Sequence, residues 1–276
     1  MTDRRLYPAS SRVAHMSLGA MAGDLPLTAG EDMEISAPLA DLLSAPQGAR
    51  DRQLAYGERF CLIDKADGHG FGFALKDGYC GWLALAHLKS ATPQRPKTHW
   101  VCALASHLYP TADLRAPPRH QLPFGAQLAV DGQENGFART DQGYIPLPHL
   151  RARANAFADP VSVAEIFLGV PYLWGGNSAA GIDCSGLVQG ALLACGIAAP
   201  ADSDLQQSLG AQLPDNAALQ RGDLLFWRGH VALVVDPQRL IHANGHSMSV
   251  TYENITDCAQ RIALAGQGEI IRRARL

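Results

Sequence analysis

What this chain has little of narrows it first. Only 18% of its residues are charged and the net charge is −3, so it offers no basic patch of the kind nucleic-acid binding uses. No apolar run reaches membrane-spanning length. In the stretch Met1 to Asp24, Arg4, Arg5 and Arg12 precede Leu18 to Ala22, but His15, Ser17 and Gly19 interrupt the pattern. That does not make a secretory signal, and the sequence predicts a cytoplasmic protein. Cysteines are few: Cys61, Cys80, Cys102, Cys184, Cys195 and Cys258. Their spacings match no zinc motif, so no metal is expected, and in a reducing compartment they are expected as free thiols. Cys61, Cys80 and Cys102 sit in strand-like patterns and read as small core residues. Aromatics make up 7%, too few for the clustered groove that proline-rich peptides require. What remains is a 276-residue chain, 47% apolar, enough for one large domain or two to three small ones.

The most informative stretch is Asp183-Cys184-Ser185-Gly186-Leu187-Val188-Gln189. Leu187, Val188, Ala191, Leu192 and Cys195 recur at helical spacing. Asp183 is placed to cap the helix and Gly196 to end it. Cys184 then lies in the first turn, where the helix dipole is expected to lower its pKa. Ser185 and Gly186 are small and leave room for a substrate beside the sulfur. Alone, a cysteine is more often a buried structural residue; the helix-start position tips the balance.

A thiol nucleophile needs a base, and the base an orienting partner. His230 opens the apolar run Val231 to Val235, which reads as a buried strand bounded by Gly229 and Asp236-Pro237. His242 lies on the next strand, Arg239 to Ala243, after the turn Asp236-Pro237-Gln238. A hairpin brings the two imidazoles together. His246 competes for the third role but belongs to the loop Asn244 to Ser247.

These blocks, with Gly169-Val170-Pro171-Tyr172-Leu173-Trp174-Gly175-Gly176 and Arg221-Gly222-Asp223-Leu224-Leu225-Phe226, resemble the NlpC-type peptidases, papain-like cysteine endopeptidases of bacterial cell-wall peptides. The resemblance covers about Asn155 to the C-terminus. It implies Cys184 as nucleophile, His230 as base and His242 as the orienting residue. It also implies that the Tyr172 hydroxyl joins the Cys184 N–H in an oxyanion hole, where a donor must be aimed at the developing charge. The bland alternative for Tyr172 and Trp174 is aromatic core packing.

The first half reads as β-rich and duplicated. Ala55-Tyr56-Gly57-Glu58, Gly72-Phe73-Ala74 and Gly81-Trp82-Leu83, ending at His87-Leu88, are echoed by Pro123-Phe124-Gly125-Ala126, Gly136-Phe137-Ala138 and Gly143-Tyr144-Ile145, ending at His149-Leu150. Short strands with frequent turns indicate small barrels. The pattern resembles tandem bacterial SH3-like domains. The expected fold is therefore α+β: an N-terminal segment over 1–33, barrels over 34–91 and 98–152 joined by the linker Ala91 to Thr98 with Pro93 and Pro96, and a papain-like catalytic domain over 155–276.

Two barrels without a signal peptide resemble the γ-D-glutamyl-diamino acid endopeptidases that recycle wall peptides. That resemblance implies a peptide substrate, L-Ala-γ-D-Glu-diamino acid, with a free L-Ala amine, and a first barrel that closes the cleft beyond it. No cofactor, nucleic acid or membrane partner is implied. Candidate substrate-binding residues are Asp183, Ser185, Trp174, Asp202, Ser203 and, from the first barrel, Tyr79. Asp202-Ser203 alternatively cap a helix ahead of Leu205 to Leu209. The family often has Arg before this pair; here it is Ala201, so the partner of the D-Glu carboxylate stays open. Other readings are an amidase or acyltransferase on the same frame, a non-catalytic wall-peptide binder, or barrels that bind proline-rich peptides.

Overall fold

The computed structural model describes residues 2–92 and 95–276; Pro93 of the expected linker lies outside the described residues. The chain divides into two compact units, Met1–Asn155 and Ala156–Leu276.

In the first unit, Glu31–Ile35 (β1), Leu39–Leu43 (β2), Arg50–Ala55 (β3), Arg59–Ala66 (β4), His69–Ala74 (β5), Cys80–Ala84 (β6) and Leu88–Ser90 (β7) form an antiparallel sheet in the order β3-β2-β6-β5-β4-β1-β7. Among the described residues the pairing does not return on itself, so no closed barrel is found over the range of the expected first SH3-like barrel. The following strands, His99–Val101 (β8), Ala105–Leu108 (β9), His120–Pro123 (β10), Gln127–Leu128 (β11), Gly132–Glu134 (β12), Phe137–Thr140 (β13), Gly143–Pro146 (β14) and Leu150–Ala152 (β15), split into three small sheets rather than one barrel.

The duplication is nonetheless carried into the backbone. Each half ends in a strand, a 3₁₀ turn (Leu85–His87 or Leu147–His149) and a short strand, with matching dihedrals of −111°, 144° at Leu88 and −112°, 146° at Leu150. Tyr56 of the first half joins Val101, Leu108, Leu122, Leu128 and Ile145 of the second in one buried cluster. Beside it Gly57 has φ 78°, and a Cβ there would strike the Gln127 carbonyl. The repeated aromatic-Gly pair is therefore a turn that also joins the halves.

The N-terminal segment is tied down as well. Ala14, Leu18 and Ala22 form their own small cluster, and Arg4 and Arg12 pair with Asp51 and Asp64 at 2.8 and 2.6 Å. Cys61 and Cys80 are buried in a cluster with Ile63 and Phe71, as their strand patterns suggest; Cys102 is half-buried.

The second unit sets helices Pro160–Glu165 (α1), Cys184–Ala194 (α2) and Ile255–Leu264 (α3) against a six-stranded antiparallel sheet. Its strands are Ala211–Gln212 (β16), Leu224–Trp227 (β17), His230–Asp236 (β18), Arg239–Asn244 (β19), Ser249–Asn254 (β20) and Arg272–Arg275 (β21), in the order β16-β21-β17-β18-β19-β20. α2 packs on β18 and β19. Cys258 and Ile262 of α3 share a cluster with Leu225, Trp227, Ala232, Val234 and Leu240. With both faces covered, β18 reads as an unbroken apolar run instead of an alternating one. Full burial of each such Val or Leu contributes about 1.5–3 kcal/mol.

Candidate active site

The site starts at the N-terminus of α2. Asp183 caps it: Oδ1 accepts from the Gly186 N–H at 2.7 Å and from the Ser185 hydroxyl at 3.0 Å, and Oδ2 accepts from the Gly175 N–H at 2.9 Å. Asp183 thus joins the loop before α2 to its first turn. Gly196, at φ 75°, ends the helix, with its N–H on the Leu193 carbonyl. Both helix boundaries follow the sequence expectation.

Two details of the first turn differ from it. Asp183 and Ser185, expected against substrate, spend their polar atoms on this internal cap. The space beside Gly186 is not left for substrate either, because a Cβ there would meet Asn177 Oδ1 and the Gly176 carbonyl. The glycine admits the preceding loop to the helix.

Cys184 is 6% exposed, with the N–H groups of Val231, Ser185 and Cys184 itself directed at its sulfur. The Val231 contact brings the start of β18 to the start of α2. Burial, reinforced by the Asp183 carboxylate, pushes the thiol up to about 12 against those N–H groups. Burial thus opposes the lowering that the helix-start position leads one to expect. Burial and the neighbouring His242 push His230 down to about 3.

His230 follows the Arg228-Gly229 turn, with Gly229 at φ 72°, and opens β18. The register Leu233↔Ile241 and Val234↔Leu240 places His230 and His242 on one face of adjacent strands, one step off directly opposite. Their rings meet edge to face, with His230 Nε2 and His242 Nδ1 2.8 Å apart. His242 is fully buried. Burial lowers its pKa while Glu253 opposes the shift. His246 lies exposed on the next turn and contributes its backbone N–H to Asn244 Oδ1.

Tyr172 is half-buried. Burial raises its hydroxyl pKa, and Cys184 and Asp183 raise it further, which places the phenol in the electrostatic neighbourhood of the nucleophile. Trp174 is 70% exposed, which rules out the core-packing alternative for its ring. Ser203 is buried and Asp202 half-buried, with φ 62°. The N-cap of the 3₁₀ turn Leu205–Ser208 is Asp204, and the Asp202 carbonyl accepts from the Gln206 N–H at 3.0 Å. Tyr79 lies in the other unit, 2% exposed, with the Arg52 guanidinium 5.3 Å from its ring centre.

Sequence reasoning missed three residues around His242. Glu253 Oε2 lies 3.0 Å and Asn244 Nδ2 2.9 Å from His242 Nε2, and Arg261 binds both Glu253 oxygens at 2.8 and 2.7 Å. Reading Ser249–Asn254 as a third strand beside β19 would have exposed Glu253 as a neighbour of His242. His242, Glu253 and Cys258 also bring potential metal-ligand atoms within 4.8 Å of one another. The Arg261 guanidinium already occupies that carboxylate and its charge opposes a cation there.

Residues 169–264 match the NlpC/P60 family, and residues 42–88 match the bacterial dipeptidyl-peptidase Sh3 domain. The gamma-D-glutamyl-L-lysine dipeptidyl-peptidase of Bacillus subtilis (strain 168) is 27% identical over 199 residues, 65% of each chain. The protein of the same name from Bacillus cereus is 34% identical over 137 residues, 47% of this chain and 38% of that one. The chain thus spans 65% and 38% of the lengths of these relatives. A crystal structure of an NlpC/P60 family protein from Bacillus cereus superposes with a TM-score of 0.75 at 19% identity, covering 89% of this chain and 99% of that one, and shows the shared fold. The chain carries an NlpC/P60 cysteine peptidase domain and, ahead of it, a bacterial dipeptidyl-peptidase SH3 domain.

Proposed function

We propose that this protein is a cysteine endopeptidase that hydrolyses the bond from the D-Glu side chain to the diamino acid in peptidoglycan-derived peptides with a free N-terminal L-Ala. The observation that carries this reading is the imidazole pair of His230 and His242, 2.8 Å apart, with the N–H of Val231, the residue after His230, directed at the Cys184 sulfur at the tip of α2. The names of the Bacillus relatives support the choice of bond.

The chemistry begins with transfer of the Cys184 proton to His230, on attack or beforehand as an ion pair. His242 occupies His230 Nε2, which leaves Nδ1 as the nitrogen able to take the thiol proton. The sulfur attacks the γ-carbonyl as that proton moves, forming a C–S bond and a tetrahedral oxyanion. The Tyr172 hydroxyl and the Cys184 N–H are the donors assigned to the oxyanion. Collapse breaks the C–N bond, and the His230 imidazolium protonates the leaving amine. Water, deprotonated by His230, then cleaves the thioester and returns the proton to sulfur. Trp174 offers an exposed indole for the substrate, and Asp202 is the carboxylate assigned to the L-Ala ammonium, with Ser203 beside it. We place the enzyme in the cytoplasm, recycling wall peptides.

A panel of L-Ala-γ-D-Glu-diamino acid peptides with free, acetylated and sugar-linked L-Ala ends tests this. Cleavage of the free form alone is expected. Equal rates on all three would remove the recycling assignment and leave a general wall hydrolase.

A further inference from the structure

We propose that Glu253, anchored by Arg261, is a positioning residue that fixes the proton arrangement of both histidines and so presents His230 with Nδ1 bare. The inference rests on the catalytic reading of Cys184 and His230 given above.

The geometry is a staircase across three strands. β19 pairs with β20 at His242↔Thr251 and Leu240↔Glu253. Glu253 is therefore on the His242 face, one diagonal step further from His230. Each step is bridged: His230 Nε2 to His242 Nδ1 at 2.8 Å, then His242 Nε2 to Glu253 Oε2 at 3.0 Å. The carboxylate is held from behind by Arg261 of α3, at 2.8 and 2.7 Å. Burial opposes its charge, but Arg261 and His242 hold the carboxyl below the usual carboxylate range.

An ionised Glu253 only accepts hydrogen bonds, so the nitrogen facing it must carry hydrogen. A neutral His242 with Nε2–H has a bare Nδ1. Nδ1 must then accept, which requires His230 to carry its hydrogen on Nε2. The remaining nitrogen of a neutral His230 is Nδ1, bare and basic. One carboxylate two residues removed from the thiol thus sets which way the base points.

Asn244 argues for the opposite arrangement, since its Nδ2 also faces His242 Nε2 at 2.9 Å. Its orientation is not reversible: Oδ1 accepts from the His246 and Ser247 N–H groups and the Ser247 hydroxyl at 3.0, 2.8 and 3.1 Å. The carboxylate wins because a charge-assisted hydrogen bond is roughly twice as strong as a neutral one. A bare Nε2 would also set its lone pair against the carboxylate. Among the described residues, the titratable and charged groups facing Glu253 are His242 on β19, with His230 beyond it on β18, and Arg261 and the buried Cys258 on α3.

Histidine ring ¹⁵N–¹H correlation spectra of the intact protein at neutral pH test the arrangement without substrate. Both His230 and His242 are expected as Nε2–H forms with bare Nδ1. Glu253→Gln is expected to convert His242 to the Nδ1–H form and lower kcat/KM by about 10- to 100-fold, the effect known for removing the hydrogen-bond partner of a metal-bound histidine. The loss should fall mainly on kcat, with KM little changed. Glu253→Asp, which restores the charge, should recover part of the rate and the original tautomers. A bare Nε2 on His242 in the native protein overturns the proposal even if no variant folds. So does Glu253→Gln with both tautomers retained and the rate within about threefold. If the native protein shows the expected tautomers yet cleaves none of the peptides, the substrate assignment fails and the proton arrangement stands.

Discussion

Replacing Asp183 by Asn removes one charge and changes almost no volume. The carboxylate accepts three hydrogen bonds, two at Oδ1 and one at Oδ2. If the Asn oxygen stays on Gly186 and Ser185, its NH₂ faces the Gly175 N–H, donor against donor. If the amide turns over, the Gly186 cap is lost instead. Either way at least one buried N–H loses an anionic acceptor, at about 1–3 kcal/mol. Relief from burying the carboxylate offsets part of this, so a net loss of about 2 kcal/mol is expected. Asp183→Ala loses all three bonds and should lose more. Urea denaturation followed through the second unit reads this as a lower midpoint at unchanged slope.

The same substitution has an opposite effect on the nucleophile. The Asp183 carboxylate is the second cause, after burial, of the raised Cys184 pKa, so Asn should lower it. The pH dependence of Cys184 alkylation, read by peptide mass, should move toward neutrality while the domain becomes less stable. Unchanged stability, or a thiol that titrates higher, would refute the assignment of Asp183 as both cap and brake.

Other consequences are as direct. Because burial lowers the pKa of His230 and His242, the unfolded chain binds protons that the folded one refuses; stability should fall as pH drops below about 6.5. Glu253, lowered by Arg261 and His242, should add a further loss once pH falls below its ordinary value of 4.5; urea midpoints across pH 3 to 8 check both. The low His230 pKa also keeps the base neutral in mild acid, so the acid limb of kcat/KM should lie below the usual imidazole range. Gly186→Ala drives a methyl into Asn177 and the Gly176 carbonyl and should lower stability by about 1–3 kcal/mol, measured as a fall in Tm. Tyr172→Phe should reduce kcat by about 10²-fold with KM little changed, as for loss of one oxyanion donor.

The helix carrying Cys184 and the hairpin carrying the histidines were legible because their signals are local: a capping residue, a terminal glycine, an apolar run and a turn. Glu253 was not, since it becomes a neighbour of His242 only through the pairing of β20 with β19, 11 residues on from His242. The burial of the thiol was hidden for a related reason. A helix-start position is visible in sequence, but the burial that outweighs it depends on β18 folding over the same spot. The repeat in the first half was legible as a motif, and its 3₁₀ turns coincide in dihedral angle. Closure was not legible, because whether short strands join into a barrel or an open sheet depends on edge pairings that no local pattern encodes.

The central claim is that the Cys184 sulfur attacks the γ-carbonyl, with His230 taking its proton. Rapid acid quench of the enzyme with the free-amine peptide, followed by intact and peptide mass analysis, observes that step itself. The account predicts a transient L-Ala-γ-D-glutamyl adduct on Cys184, absent in Cys184→Ala, together with release of the diamino acid portion. Peptide turnover that persists in Cys184→Ala would contradict it.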